Sequence, residues 1–165
     1  MELEPFVISD EQKIAFDTRY LRREEWYPAS VEISNSNYQV VASGATDLIT
    51  YDTLSHATDS GMYDLANERI VCVTAGYYHV YCTLTVQSTG SSGDSEVEIR
   101  KNGVAGGTFD TISFVVFNRN ENIKIGATIL LAAGDYFDMT LQNSSGGDQL
   151  VLGGIYRMFG MFRVA

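Results

Sequence analysis

The residues that could carry acid–base or metal chemistry are few, and their spacing matches no catalytic motif. His56 and His79 are the only two histidines of the 165-residue chain, and they do not form the H-x-x-x-H, H-x-H or H-E-x-x-H spacing of a metal site. The sequence also lacks a G-x-S-x-G nucleophile elbow and a glycine-rich phosphate loop that opens a helix. We interpret His79 as an interface aromatic residue, with a titrating switch as the alternative. We therefore expect no enzyme activity, no catalytic residue and no cofactor.

Acidic residues suggest two further kinds of chemistry. Asp110, Asp135 and Asp138 could supply the carboxylate pair of a glycoside hydrolase, but acids at loops and strand edges are common without such a role. Ca²⁺ requires several convergent oxygen atoms, and convergence cannot be read from a sequence. The acids in or near predicted loops are Asp59, Asp64, Asp94 and Asp148. We predict no metal ligand among them.

Charge and composition limit the partners and the compartment. The formal net charge of −10 argues against nucleic acid, which is bound through Lys and Arg. No run of about 18 apolar residues predicts a transmembrane helix, so we expect no membrane partner. The acidic start, MELEPFVISDEQ, does not resemble a signal peptide, so we expect synthesis in the cytoplasm. In that reducing compartment Cys72 and Cys82 are interpreted as two buried, unreactive thiols rather than as a disulfide.

Residues 1–30 are predicted to form an arm with a short helix. Ser9 and Gln12 have the spacing of a capping box, and DEQKIAFDTRYLRREEW follows before Pro28 ends the helix. An incomplete apolar stripe consists of Ile14, Phe16, Tyr20 and Leu21. A helix this short is marginal alone and must dock on something. It either packs on the rest of the chain or serves as an attachment or trimerising arm, and we favour the arm.

Residues 31–165 are predicted to form one domain of antiparallel strands. Short alternating segments follow one another without helices between them, and Asn102-Gly103 is a strong hairpin signal. Strands of this length and spacing predict a β-sandwich or a barrel.

Two strands of this domain have more apolar residues than one core face requires. In AGYYHVYCTLTV the core face from Tyr78 to Val86 is opposed by two tyrosines and a histidine. The last strand is apolar on both faces, which indicates that both are covered. We predict that a second subunit covers the extra face, with the N-terminal arm of the same chain as the alternative. The predicted interface residues are Tyr77, His79, Tyr81, Phe159 and Met161.

Several motifs in residues 47–165 resemble those of the C1q and tumour-necrosis-factor-like jelly rolls. The stretch YDLANERIVCVTAGYYHVYCTLTV is similar to the family's aromatic, large apolar residue and Gly-x-Tyr signature. LLAAGDYFDMTL resembles its L-x-x-G-D turn, and FGMFRVA resembles its closing aromatic strand. The matching positions are Tyr63, Ile70, Gly76, Tyr78, Leu131, Gly134, Asp135, Phe159 and Phe162. Val80 and Cys82 depart from the pattern, because aromatic residues are usual there.

This resemblance implies an antiparallel jelly-roll sandwich and a compact homotrimer with an aromatic interface around its threefold axis. No Gly-X-Y repeat provides the collagen-like stalk of the animal proteins. Trimers with a short arm look like bacteriophage capsid decoration proteins, head fibres or tail knobs. The expected partners are a second and third copy and a phage capsid or tail protein, and the expected location is the virion. Ile14, Phe16, Tyr20 and Leu21 would then attach the knob to the particle. The alternative is a module on a virion or bacterial surface that binds a host glycan or receptor.

Overall fold

The computed structural model describes residues 29–88, 93–104, 108–116 and 120–164. The predicted helix of the arm lies outside these ranges, as do Ile14, Phe16, Tyr20 and Leu21. The first described strand begins at Ser30, and every strand pairing in the described residues is antiparallel. The prediction of an all-β antiparallel sandwich is therefore confirmed.

The strands form two sheets that pack face to face. The seven-stranded sheet contains β1 (Ser30–Ser34), β2 (Gln39–Val41), β4 (Thr53–Ala57), β7 (Gly76–Ser88), β10 (Asn120–Leu131), β12 (Gln149–Val151) and β13 (Arg157–Arg163). The six-stranded sheet contains β3 (Thr46–Leu48), β5 (Tyr63–Asp64), β6 (Arg69–Val71), β8 (Gly93–Lys101), β9 (Thr108–Val116) and β11 (Tyr136–Asn143). Short 3₁₀ turns at Ser60–Met62, Leu65–Asn67 and Gly154–Tyr156 connect strands.

The long strand β7 is the centre of the seven-stranded sheet. It pairs with β10 along its length, and it pairs with β13 and β12 over successive parts. Beyond β13 the order continues through β1 to β4. The inward residues of β7 alternate as predicted, and all are buried: Tyr78, Val80, Cys82, Leu84 and Val86. Cys72 and Cys82 are both buried and form no disulfide with each other, as the sequence indicated.

The predicted turn at Asn102-Gly103 is confirmed at the end of β8. Both residues have positive φ, 55° and 68°, a conformation that Asn and Gly adopt more readily than other residues. The Asn102 amide donates a hydrogen bond to Asp135 at 3.0 Å, and its oxygen accepts one from the Tyr136 N–H at 2.9 Å. The side chain thereby joins the turn to the start of β11.

Arg157 is a buried side chain that the sequence did not single out. It is fully buried at the start of β13, and its guanidinium donates to main-chain carbonyls rather than to a carboxylate. The acceptors are Asn37 at 2.9 Å, Thr50 at 3.1 Å, Val151 at 2.6 Å and Leu152 at 3.3 Å. Burial lowers the pKa of Arg157. Arg157 therefore connects three separate chain segments at the end of the sandwich where β13 begins.

The substitution Arg157→Met should destabilise the fold. Methionine fills part of the volume but removes the Arg157 donor from four carbonyls, of which the Thr50 carbonyl still accepts from the Asn35 amide. An unsatisfied buried polar group is costly, so we expect a loss of about 3 kcal/mol in the free energy of unfolding. Urea denaturation followed by far-UV circular dichroism measures it. Lys124→Met on exposed β10 is the control and should change little. Equal urea midpoints for the two variants would contradict the role of Arg157.

Candidate functional site

Three aromatic side chains form a cluster on the outer face of the seven-stranded sheet. Alternation along β7 turns His79 and Tyr81 away from the core, and β13 places Phe162 directly opposite His79. The ring centroids of His79 and Phe162 are 5.3 Å apart, and Tyr81 lies 6.3 Å from each of the other two. These separations are typical of interacting aromatic rings. We call His79, Tyr81 and Phe162 the aromatic cluster.

A glycine beside Tyr81 determines the position of its ring. Gly160 on β13 and Gly126 on β10 both lie opposite Tyr81 in the register. A Cβ atom at Gly160 would lie 2.7 Å from Tyr81 Cζ, so a side chain there would displace the ring. The ring instead extends over Gly160, and its hydroxyl donates to Glu32 Oε2 on β1 at 2.8 Å. A side chain at position 160 would therefore prevent the tyrosine from lying across β13.

Polar contacts surround the aromatic cluster. Burial raises the pKa of Tyr81, and the hydrogen bond to Glu32 and its charge raise it further, so the phenol is a neutral donor. His79 Nδ1 lies 3.1 Å from Thr128 Oγ1 on β10. His56 on β4 pairs with Glu32 on β1. Its Nε2 atom is 3.0 Å from Ser30 Oγ. Both histidines thus contact the hydroxyl group of a residue on a neighbouring strand, as side chains with a structural role commonly do.

An exposed apolar corner borders the aromatic cluster. Tyr77 on β7 pairs with Leu130 on β10, and the Val164 N–H donates to the Tyr77 carbonyl at 2.7 Å. Tyr77 is 50% exposed and Leu130 is 58% exposed. We call Tyr77, Leu130 and Val164 the apolar corner. Together with Phe162 it forms an apolar area that no other described residue covers, and contiguous areas of this kind commonly mark binding surfaces.

The predicted interface residues are divided between the two faces of the sheet. Tyr77, His79 and Tyr81 point outward, so their role at an interface stays a prediction. Phe159 and Met161 are fully buried in the core, and the prediction that they form an interface is wrong. The register explains this, because Phe159 lies opposite the inward Cys82, and its ring lies 5.8 Å from Tyr51.

The structure adds residues that the sequence did not assign to the site. Phe162 is the outward aromatic residue of β13, and the sequence signal for it was a last strand apolar on both faces. Glu32 and Leu130 join the site only through strand pairing, so no local pattern could have identified them.

The carboxylates considered for hydrolysis or metal binding make other contacts. Asp135 forms an ion pair with Lys101, and Asp138 forms one with Arg100, both at 2.7 Å. The side chain of Asp110 lies outside the described residues. No group of three or more His, Cys, Asp or Glu residues suited to a metal ion occurs in the part of the chain that the structure describes. Within the same ranges, no helix is sufficiently long and apolar to cross a bilayer.

The contact between Tyr81 and Glu32 predicts a pH-dependent effect of Tyr81→Phe. Loss of the hydroxyl should cost about 1 kcal/mol of unfolding free energy near neutral pH, because a hydrogen bond to a charged group is lost. The ordinary pKa of tyrosine is 10.0, and the folded protein keeps the Tyr81 proton above it while the unfolded chain loses it. The contribution of Tyr81 is therefore complete below pH 10 and declines above it. Urea denaturation at about pH 8 and about pH 11 tests this. A difference between wild type and Tyr81→Phe that does not shrink at the higher pH would contradict it.

Comparison with known proteins identifies the fold. No family profile and no curated protein matches the sequence. Solved structures do match. The globular domain of zebrafish complement 1qA protein has a TM-score of 0.59 and 11% sequence identity, covering 83% of this chain and 98% of that one. Murine APRIL, in its crystal structure at pH 5.0, has a TM-score of 0.64 and 9% identity, covering 83% of this chain and 99% of that one. The chain therefore has a C1q/TNF-like jelly-roll fold.

Proposed function

We propose that this chain is a non-enzymatic structural protein of a bacteriophage particle, in the manner of a capsid decoration protein, head fibre or tail knob. Three copies form a β-knob through the outer face of the seven-stranded sheet. The N-terminal arm, through Ile14, Phe16, Tyr20 and Leu21, attaches the knob to the particle. The observation that carries the proposal is the aromatic cluster, which lies on the outer face of the seven-stranded sheet without a cover among the described residues.

Self-association is supported by the chemistry of the outer face. Phe162 and His79 present apolar and amphipathic rings, and aromatic residues are enriched at protein interfaces. Gly160 is covered by the Tyr81 ring, so the surface presented to a partner at this point is that ring. The number three comes by analogy from the C1q and TNF-like jelly rolls that the sequence resembles.

The non-enzymatic part of the proposal is supported by the contacts of the polar residues. Asp135 and Asp138 are engaged in ion pairs, and His56 and His79 contact serine and threonine hydroxyls. Ion pairs and hydroxyl contacts of this kind are typical of side chains with a structural role.

A receptor- or glycan-binding module is the second candidate, and the loops at the far end of the sandwich favour it. Tyr38 and Tyr156 are exposed there, and their loops are adjacent, because a Cβ atom at Gly153 would lie 2.6 Å from the Asn37 carbonyl. Exposed aromatic rings in neighbouring loops suit a sugar face or a protein partner. A host-cell adsorption assay with the purified protein distinguishes this role from a purely structural one.

The trimer is tested by Phe162→Asp. A carboxylate in place of an outward ring should separate the copies, because burying a charge at an apolar interface is unfavourable. Size-exclusion chromatography with light scattering should show a folded monomer for this variant and a trimer for the wild type. Ile155→Asp is the matched control, because Ile155 is exposed but lies in the turn before β13, and it should remain trimeric. A wild-type protein that is a monomer at micromolar concentration would refute the assembly.

Attachment to a particle is tested in the full chain by the double variant Ile14→Ser and Leu21→Ser. Both changes remove apolar area from the predicted stripe and leave the described sandwich untouched, so the knob should still assemble. The variant should no longer cosediment with virions in a density gradient, whereas the wild type should. Phe162→Asp serves as the converse control, since it alters assembly and retains the arm. Equal cosedimentation of the double variant and the wild type would contradict attachment through these residues.

A further inference from the structure

We infer that the segment directly before β1 folds back over the apolar corner of its own chain, with Trp26 as the principal contact. The inference concerns an intramolecular docking surface and does not depend on the proposed role in a phage particle. It uses the corner formed by Tyr77, Leu130 and Val164, which lies beside the aromatic cluster and not within it.

The corner is an apolar area without a cover among the described residues. Tyr77 and Val164 are about half exposed, and Leu130 is more exposed than either. The three side chains belong to adjacent strands, because Tyr77 pairs with Leu130 and receives the Val164 N–H bond. An apolar area across three strands costs free energy in water, so a cover would be stabilising.

The chain enters the sheet at this same corner. Ser30 lies opposite Phe162, and the Arg163 N–H donates to the Ala29 carbonyl at 2.8 Å. Strands in a sheet are about 4.8 Å apart, so β7, two strands from β1, lies about 10 Å away. Three residues in extended conformation also span about 10 Å. The backbone at Trp26 can therefore reach Tyr77 without any change in the described strands.

The residues within that reach have suitable chemistry. Trp26 and Tyr27 come immediately before Pro28, and a tryptophan ring can bury a large apolar area at small cost in side-chain entropy. The segment is tethered a few residues from the corner, which gives it an effective concentration in the millimolar range for a contact with its own chain. A second copy in dilute solution does not have this advantage. The occupant that fits is thus the segment of the same chain.

The single tryptophan makes the inference directly measurable. Trp26 is the only tryptophan in the sequence, so emission excited at the long-wavelength edge, where tyrosine does not absorb, reports on this residue alone. In the wild type we expect emission at shorter wavelength than in the guanidinium-unfolded chain, and protection from quenching by acrylamide. Both properties should persist on dilution to a monomer. Leu130→Ser should shift the emission toward that of the unfolded chain and raise the quenching constant.

Val40→Ser is the matched control for Leu130→Ser. Val40 is 47% exposed and faces outward in the same sheet, but its strand pairs with β12 at the opposite end of β7. The control should leave the emission and the quenching of Trp26 unchanged. Far-UV circular dichroism and urea midpoints show whether both variants retain the wild-type fold.

Four outcomes would overturn the inference. Wild-type Trp26 that emits and is quenched as in the unfolded chain has no cover. Protection that disappears on dilution to a monomer would mean that another copy supplies the contact. A Leu130→Ser protein that stays folded and keeps Trp26 protected would mean that the tryptophan packs elsewhere, and an equal shift in Val40→Ser would mean that the effect is not specific to the corner.

Discussion

The central strand β7 is the element on which both the core and the outer face depend. Its thirteen residues are bonded to β10 on one edge and to β13 and β12 on the other, so its backbone groups are paired over most of its length. A strand held in this way cannot slip, because a shift of one residue would turn Tyr77, His79 and Tyr81 inward and the core residues Tyr78 and Val80 outward. The inward face then packs the two sheets together, and the outward face carries the aromatic cluster. Core and candidate site are thus two consequences of one alternating sequence.

The outer face differs from an ordinary solvated sheet surface in the way that its rings are supported. Tyr81 extends over Gly160 and bonds to Glu32, so it connects three strands on the outside of the sandwich. The cluster is therefore ordered before any partner arrives, and an ordered aromatic surface loses little conformational entropy on association. Arg157 has the corresponding role at the far end of the sheet, where it joins loops through their carbonyls. The hydrogen bond between Tyr81 and Glu32 holds an aromatic surface in place, whereas the hydrogen bonds of Arg157 keep the end of the sandwich closed.

The sequence predicted much of the fold because its signals are local. Alternation has a period of two residues, so the two faces of β7 and the turn at Asn102-Gly103 could be identified without knowing any neighbour. The last strand was harder, because apolar residues occupy both of its faces and the pattern does not say which one is inside. Phe159 and Met161 were therefore placed at an interface, although the pairing of Phe159 with Cys82 turns them into the core. Glu32 and Leu130 could not be found in advance, since each reaches the site from a strand distant in sequence.

The sequence by itself determined the all-β class, the jelly-roll resemblance, the outward direction of Tyr77, His79 and Tyr81, and the burial of the two cysteines. These features follow from composition and from the geometry of a single strand. The tertiary structure alone decided which face of β13 is exposed, what Tyr81 bonds to and why Arg157 is buried. Each of these depends on the register between strands, which arises from the simultaneous packing of both sheets. That packing brings Tyr81 into contact with Glu32, although the two residues are 49 positions apart in the sequence. A pattern within one strand cannot relate residues so far apart.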